Sequence, residues 1–232
     1  MIDSRPDRIL LTGFEPFGGD ERNPSWPAAR DAAARLRELG LDAVAERLPC
    51  AFAGSTEALE RALAEHRPGI VIACGLAGGR AQVAVERVAV NLQDARIPDN
   101  TGHQPAGRPV DDAGPAAYFS SLQVKRTVAA LRAARIPAEL SLSAGSFVCN
   151  HVFYEVMRRA ETGAAPAGGA VHTAGFIHVP WDEQAPRRGP DAEPWPTLPA
   201  AELSRALVIA AQEAARPGPG VPDLDVPDGA LH

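Results

Sequence analysis

Lysine is nearly missing from this 232-residue chain: Lys125 is the only one, and arginine makes up the rest of the 23 basic residues. An Ala/Arg/Gly/Pro-rich coding preference accounts for that bias, and no function is read from it. Positive charge is short overall, with 29 acidic residues giving a formal net charge of -6. That balance repels phosphate backbones and anionic lipid surfaces, so no nucleic-acid partner is expected. Long apolar runs are absent too, and no stretch approaches the roughly 20 apolar residues of a membrane helix, so no membrane association is expected. The first residues, Met1-Ile2-Asp3-Ser4-Arg5-Pro6-Asp7-Arg8, show no basic region followed by an apolar run and a small-residue cleavage site. A cytoplasmic location is therefore expected. Cysteine is scarce: Cys50, Cys74 and Cys149 include no C-x-x-C, which excludes a disulfide framework and a zinc-finger pattern. Free thiols in a reducing compartment are expected, each by default a small buried hydrophobe.

What is present suits one sizeable core, since the chain is too short for several independent domains. Arg8 to Thr12 is a short apolar run that ends at a Gly-rich loop, Gly13 to Gly19. Asn23-Pro24-Ser25 then offers a cap and a first-turn proline for a helix to about Leu39. The patterning predicts a strand over Ala43 to Leu48, a helix over Ser55 to His66, and a strand buried on both faces over Gly69 to Cys74. Gln82 to Asn91 is β-branched and partly alternating, and predicts a strand. Asp94 to Gly102, dense in turn residues, predicts a long loop of the kind that carries sites. Ser121 to Arg135 predicts a helix, Ala138 to Ser143 a strand, Phe147 to Ala160 a helix, Ala170 to Val179 a strand and Ala200 to Ala215 a closing helix. This alternation predicts a single α/β domain over residues 1–216, its parallel or mixed sheet covered on both faces, with sites at the carboxyl ends of strands. The Pro/Gly-rich residues 217–232 predict a flexible, solvated tail.

Leu142-Ser-Ala-Gly-Ser-Phe-Val-Cys-Asn150 carries the strongest chemical signal. There a strand ends, the chain turns, and a helix begins with Cys149 in its first turn. Unpaired N–H groups at a helix start favour a thiolate, and could also receive an oxyanion. On placement alone, a nucleophile and a buried structural cysteine both remain open for Cys149. Cys74 inside an apolar strand and Cys50 after Leu48-Pro49 read as core or loop residues. Among possible bases, His151 points about 200° round the helix axis from Cys149 and reads as a packed or partly exposed helix residue. His66 and His232 read as solvated, and His103 as a loop residue. His178, at the carboxyl end of its predicted strand, is placed where α/β proteins hold catalytic groups, whereas His172 lies near that strand's start. Glu86 is the candidate for orienting the imidazole. On the residues alone, a salt bridge to Arg87 or another arginine ranks ahead of that role, because a carboxylate in an apolar strand must be paired if buried.

Several motifs, in order, resemble the pyroglutamyl peptidase I (pyrrolidone-carboxylate peptidase) family. They are Leu11-Thr-Gly-Phe-Glu-Pro-Phe-Gly-Gly19 with Asn23-Pro24-Ser25, Gly75-Leu-Ala-Gly-Gly-Arg80, Glu86-Arg-Val-Ala-Val-Asn91, Asp94-Ala-Arg-Ile-Pro-Asp-Asn100, Ser143-Ala-Gly-Ser-Phe-Val-Cys-Asn-His151 and Gly175-Phe-Ile-His-Val-Pro180. The resemblance spans residues 8 to 184. It implies an α/β/α sandwich around a twisted mixed sheet, a homo-oligomer (tetramer or dimer), and no metal or cofactor. It implies that Cys149 is the nucleophile of a cysteine exopeptidase acting on N-terminal pyroglutamyl peptides, His178 the base and acid, and Glu86 the residue that orients the histidine. Phe14, Phe17 and Phe147 match family positions that line a slot for the lactam, Asn23 a polar position near it, and Arg96 a position in the long loop near the thiol. Core packing, a helix cap and surface charge are their plainer readings. Leu76, Ser146 and Trp181 depart from residues common in the family, which are Gln, Thr and Tyr. A cysteine amidase or esterase of other specificity, and a non-catalytic pyroglutamate-binding homologue, are the alternatives.

Overall fold

The computed structural model describes residues 7–163, 170–186, 193–216 and 223–228. The apolar runs form strands β1 (Ile9–Phe14) and β3 (Ile70–Leu76), in which every residue is buried. Their sequences do not alternate because both faces are covered. They belong to a six-stranded sheet completed by β2 (Ala43–Leu48), β4 (Val83–Glu86), β7 (Ala138–Ser141) and β8 (Thr173–Val179), in the order β2-β1-β3-β8-β4-β7. Neighbours are parallel except at β4–β8, where Ala84 lies opposite His178 and Val85 opposite Ile177.

Helices α1 (Ser25–Glu38), α3 (Val124–Ala133) and α5 (Ala200–Ala214) cover one face, burying Ala29, Leu36, Val128, Leu131 and Leu207 against Ile9, Leu11, Ile72 and Ile177. Helices α2 (Phe52–His66) and α4 (Val148–Thr162) cover the other, packing Leu59, Leu63, Val152 and Phe153 on Leu10, Val71 and Phe176. This is the expected three-layer α/β/α sandwich. Gly13 brings α1 onto the end of β1: a Cβ there would lie 2.5 Å from Ser25 O and Trp26 Cα, so no side chain fits.

Two expectations are corrected. The single strand expected over residues 82–91 breaks at Arg87, and its second half, β5 (Val88–Val90), pairs with β6 (Ala117–Phe119) in a separate two-stranded sheet. Helix α2 begins at Phe52 rather than Ser55, after the Asp99 carboxylate accepts the Phe52 N–H at 2.9 Å. In the C-terminal segment, described over residues 223–228, the Asp223 carboxylate accepts the N–H groups of Lys125 and Arg126 at 3.0 and 2.9 Å. Asp228 pairs with Arg132 at 3.2 Å. Helix α3 lacks a side-chain cap from Gln123, and the distant aspartate supplies it. Residues 217–222 and 229–232, with His232, lie outside the described residues. Among the described residues no helix is long and apolar enough to cross a membrane.

Candidate active site

Alternation along β8 turns Phe176 and His178 to the α2/α4 face, where their rings lie 4.8 Å apart. Because β4 sets Ala84 opposite His178, Glu86, two residues further on, shares that face. Glu86 Oε1 lies 2.8 Å from His178 Nδ1, and both residues are buried, at 0% and 4% exposure. A carboxylate only accepts, so Nδ1 carries the proton and Nε2 is left as the basic nitrogen.

Arg80, in the loop after β3, donates from Nη1 to the same Glu86 oxygen at 3.2 Å and from Nη2 to the Ser143 carbonyl at 3.0 Å. Glu86 Oε2 is buried without a hydrogen-bond partner. Glu86 thus contacts both the histidine and an arginine, Arg80 rather than Arg87. Arg87 turns instead to Asp223, at 3.5 Å, and to the ring of Phe119.

Cys149 is the second residue of α4. Phe147 at the helix start is extended, makes no side-chain capping bond, and no acidic residue stands in the first turn. The initial N–H groups are thus not neutralised from within the helix. The thiol sits over Gly75: a Cβ there would be 2.7 Å from Cys149 Sγ and 2.8 Å from Phe176 Cζ. Gly75 is in register with His178, so thiol and imidazole share one face above neighbouring residues of adjacent strands. Burial pushes the Cys149 thiol well above its usual range, with Cys50, Cys74 and Glu86 adding to the shift. The thiolate favoured by helix placement alone is thus opposed by desolvation of the sulfur. Cys74 is fully buried, and burial pushes the Cys50 thiol up to about 12, so both behave as core cysteines.

Two loops close over this face. Glu15 Oε1 in the first loop accepts the Cys50 N–H at 3.1 Å and the Asn100 side-chain amide at 2.8 Å. Ser146, just before α4, donates to the Asp94 carbonyl at 2.7 Å. Burial raises the Asp99 carboxyl, but bonds from Thr101, Phe52 and His103 outweigh it and hold the group below its usual value. Phe17 packs on Phe147 at 6.0 Å between centroids, and Phe52 packs edge-on to Phe147 at 5.5 Å. Of the residues expected around the lactam, Phe17 and Phe147 are brought together. Phe14 is a core residue, 1% exposed. Asn23 spends its amide on its own turn, donating to the Glu15 carbonyl and accepting from Ser25 N–H and Oγ–H. Arg96 is exposed on the long loop.

The remaining described histidines are engaged away from the Glu86–His178 pair. His151 is packed, with Nε2 2.7 Å from Thr56 Oγ1 and Nδ1 2.8 Å from Gln93 Nε2, and burial pushes its pKa down to about 4. His103 is exposed, with its ring edge-on to Phe52. His172 lies 3.0 Å from Asp7. His66, expected to be solvated, is instead partly buried and paired with Glu46 at 2.8 Å. Among the described residues no group of three or more His, Cys, Asp and Glu side chains is placed to hold a metal ion.

The model of the pyroglutamyl peptidase family matches residues 7–217. The chain belongs to that family. Pyrrolidone-carboxylate peptidase from Streptomyces coelicolor is 48% identical over 225 residues, covering 97% of this chain and 99% of the relative. The protein of the same name from Gloeobacter violaceus is 52% identical over 181 residues, 78% and 85% of the two chains. The crystal structure of pyroglutamyl peptidase I from Bacillus amyloliquefaciens is 40% identical, covers 90% of this chain and 97% of its own, and superposes with a TM-score of 0.77. A mutant pyrrolidone carboxyl peptidase from Pyrococcus furiosus reaches 0.80 at 37% identity, covering 89% and 97%.

Two residues of this pyroglutamyl peptidase family site escaped sequence reasoning as site residues, Gly75 and Arg80. Their one signal was the segment Gly75-Leu-Ala-Gly-Gly-Arg80, whose ends touch the thiol and the carboxylate respectively.

Proposed function

We propose that this chain is a cysteine-type exopeptidase that removes an N-terminal pyroglutamyl residue from peptides, with Cys149 as nucleophile, His178 as base and acid, and Glu86 orienting the imidazole. The observation that carries this reading is the buried Glu86–His178 pair on the face where Cys149 opens a helix over Gly75, in a chain of this family.

His178 Nε2 takes the Cys149 proton as the sulfur attacks the pyroglutamyl carbonyl, and the N–H groups at the start of α4 receive the oxyanion. Collapse of the tetrahedral adduct breaks the C–N bond, and the imidazolium returns its proton to the departing amine. A thioester remains. Water then gives a proton to His178 and its oxygen to the acyl carbon, releasing pyroglutamate and regenerating the thiol. Nδ1, held by Glu86, keeps its proton throughout. The pyroglutamyl ring is a neutral lactam without a free α-amine, and an aromatic wall of Phe17 and Phe147 suits it, while the family resemblance alone adds Phe14, Asn23 and Arg96.

We further propose a homo-oligomer, tetramer or dimer, and a cytoplasmic location. The family resemblance supports the first, and the three unpaired cysteines support the second. Light scattering on the purified protein tests the assembly and is expected to give more than one chain mass.

The test of the activity is release of a fluorescent amine from a pyroglutamyl amide and from its open-chain prolyl analogue, under reducing conditions, by the protein and by Cys149→Ala. Turnover of the lactam alone, lost on substitution, is the expected result. No turnover by folded, reduced protein overturns the reading, and activity that survives Cys149→Ala overturns the mechanism.

A further inference from the structure

Glu86 is held from two sides by donors aimed at one oxygen. His178 Nδ1 and Arg80 Nη1 both bond Oε1, at 2.8 and 3.2 Å, while Oε2 is buried and unpartnered. Among the described residues Arg80 is the arginine paired with this carboxylate, while Arg87, its chain neighbour, is engaged with Asp223. The second arm of the guanidinium bonds the carbonyl of Ser143 at 3.0 Å. Ser143 begins the segment that leads to Cys149, and its hydroxyl in turn accepts the Gly145 N–H at 3.2 Å. One planar fork thus joins the group that orients the base to the segment that delivers the nucleophile and the oxyanion donors.

We propose that Arg80 is a positioning residue of the peptidase reaction, fixing Glu86 against His178 and the 143–147 segment against both. This rests on the function proposed above. Arg80 does two separable things. As a fork it sets the geometry between Glu86 and the start of α4. As a cation, joined to His178 through a shared oxygen and so no more than about 6 Å from Nδ1, it opposes the positive charge the imidazole gains when it takes a proton. The ionisable groups facing the pair are Arg80 itself, Glu139 on β7, 3.6 Å from Arg80, and the Cys149 thiol on α4. Among the described residues Arg80 is thus the arginine that bonds the pair.

Three variants separate the roles: Arg80→Met removes fork and charge, Arg80→Lys keeps the charge, and Arg80→Gln keeps a donor without charge. Each is assayed for kcat and KM on the pyroglutamyl amide, for the pH dependence of kcat/KM, and for the pH dependence of Cys149 alkylation by iodoacetamide, read by peptide mass spectrometry. Arg80→Met is expected to lower kcat by about 10- to 100-fold with little change in KM, because misplacement of reacting groups falls on the chemical step. Loss of the cation is expected to move the acid limb of kcat/KM and the alkylation profile to higher pH by about half to one unit. Arg80→Lys is expected to return both profiles to the wild-type position while recovering only part of kcat. Should Arg80→Met not fold, Arg80→Gln carries the same comparison. A folded Arg80→Met or Arg80→Gln with wild-type kcat and unmoved profiles overturns the proposal. So does a profile that Arg80→Lys fails to restore. If the wild type does not hydrolyse the lactam, the functional reading fails by itself, and the alkylation profiles still decide whether Arg80 acts on the Cys149–His178 pair.

Discussion

Adding one methyl group at Gly75 should silence the enzyme with only a modest loss of stability. The Cβ of Gly75→Ala would stand 2.7 Å from Cys149 Sγ, and 2.8 and 3.2 Å from Phe176 Cζ and Cε1. Relaxed contacts of this kind lie near about 3.5–4.0 Å, so close to 1 Å must open. The strand cannot supply it, because β3 is hydrogen-bonded to β1 on one side and to β8 on the other. Phe176 cannot retreat freely either: it is fully buried between the rings of Phe153, at 5.8 Å, and His178, at 4.8 Å. The sulfur is the movable party. Displacing a reacting atom by about 1 Å costs on the order of 100-fold in rate. Overpacking costs about 1–3 kcal/mol, or about 2–12 °C in Tm for a domain of this size. The assay is kcat on the pyroglutamyl amide beside a thermal melt. Gly175→Ala serves as the control, because its Cβ points to the other face, at Leu122 Cδ1 and Ser120 Oγ, 2.4 and 2.5 Å away. It should lower Tm and leave kcat of the folded enzyme unchanged. A Gly75→Ala enzyme with wild-type kcat would refute the placement of the thiol over Gly75.

Two further predictions concern stability. Folded His151 titrates near 4 against an ordinary value of 6.5, so below about pH 6.5 the unfolded chain takes up a proton that the folded chain refuses. Its contribution is therefore intact above pH 6.5 and lost as the pH falls toward 4, by up to roughly 3 kcal/mol; urea midpoints should drop across that window and drop less steeply in His151→Asn. Asp223→Ala removes the cap that α3 receives from the C-terminal segment and should cost about 0.5–2 kcal/mol in denaturant melts. An unchanged midpoint would mean that residues 223–228 do not hold α3.

The elements legible in the sequence are those whose environment repeats along the chain. Ile9–Phe14 and Ile70–Leu76 read as strands because cover on both faces demands uninterrupted apolar residues, and that demand is written locally. The break at Arg87 is not local: apolar residues continue across it, and only the separate pairing of Val88–Val90 with Ala117–Phe119 divides the segment. The same distinction runs through the site. Cys149 at a helix start and His178 at a strand end are positional facts, readable one residue at a time. The bond between Glu86 and His178 needs β4 inserted antiparallel beside β8, which the residues alone did not reveal; they favoured an arginine partner, and the family resemblance supplied the histidine. Both partners are present because one oxygen serves two donors, a sharing visible only in three dimensions. The thiol shows how far local reasoning carries: the helix start argues for a thiolate and burial argues against it. The seat of the sulfur needs Gly75, which lies 74 positions before Cys149 in the chain and is in register with His178. On the proposed mechanism, a thiol that burial holds protonated needs a base, which ties its reactivity to His178 and, through the 2.8 Å contact, to Glu86.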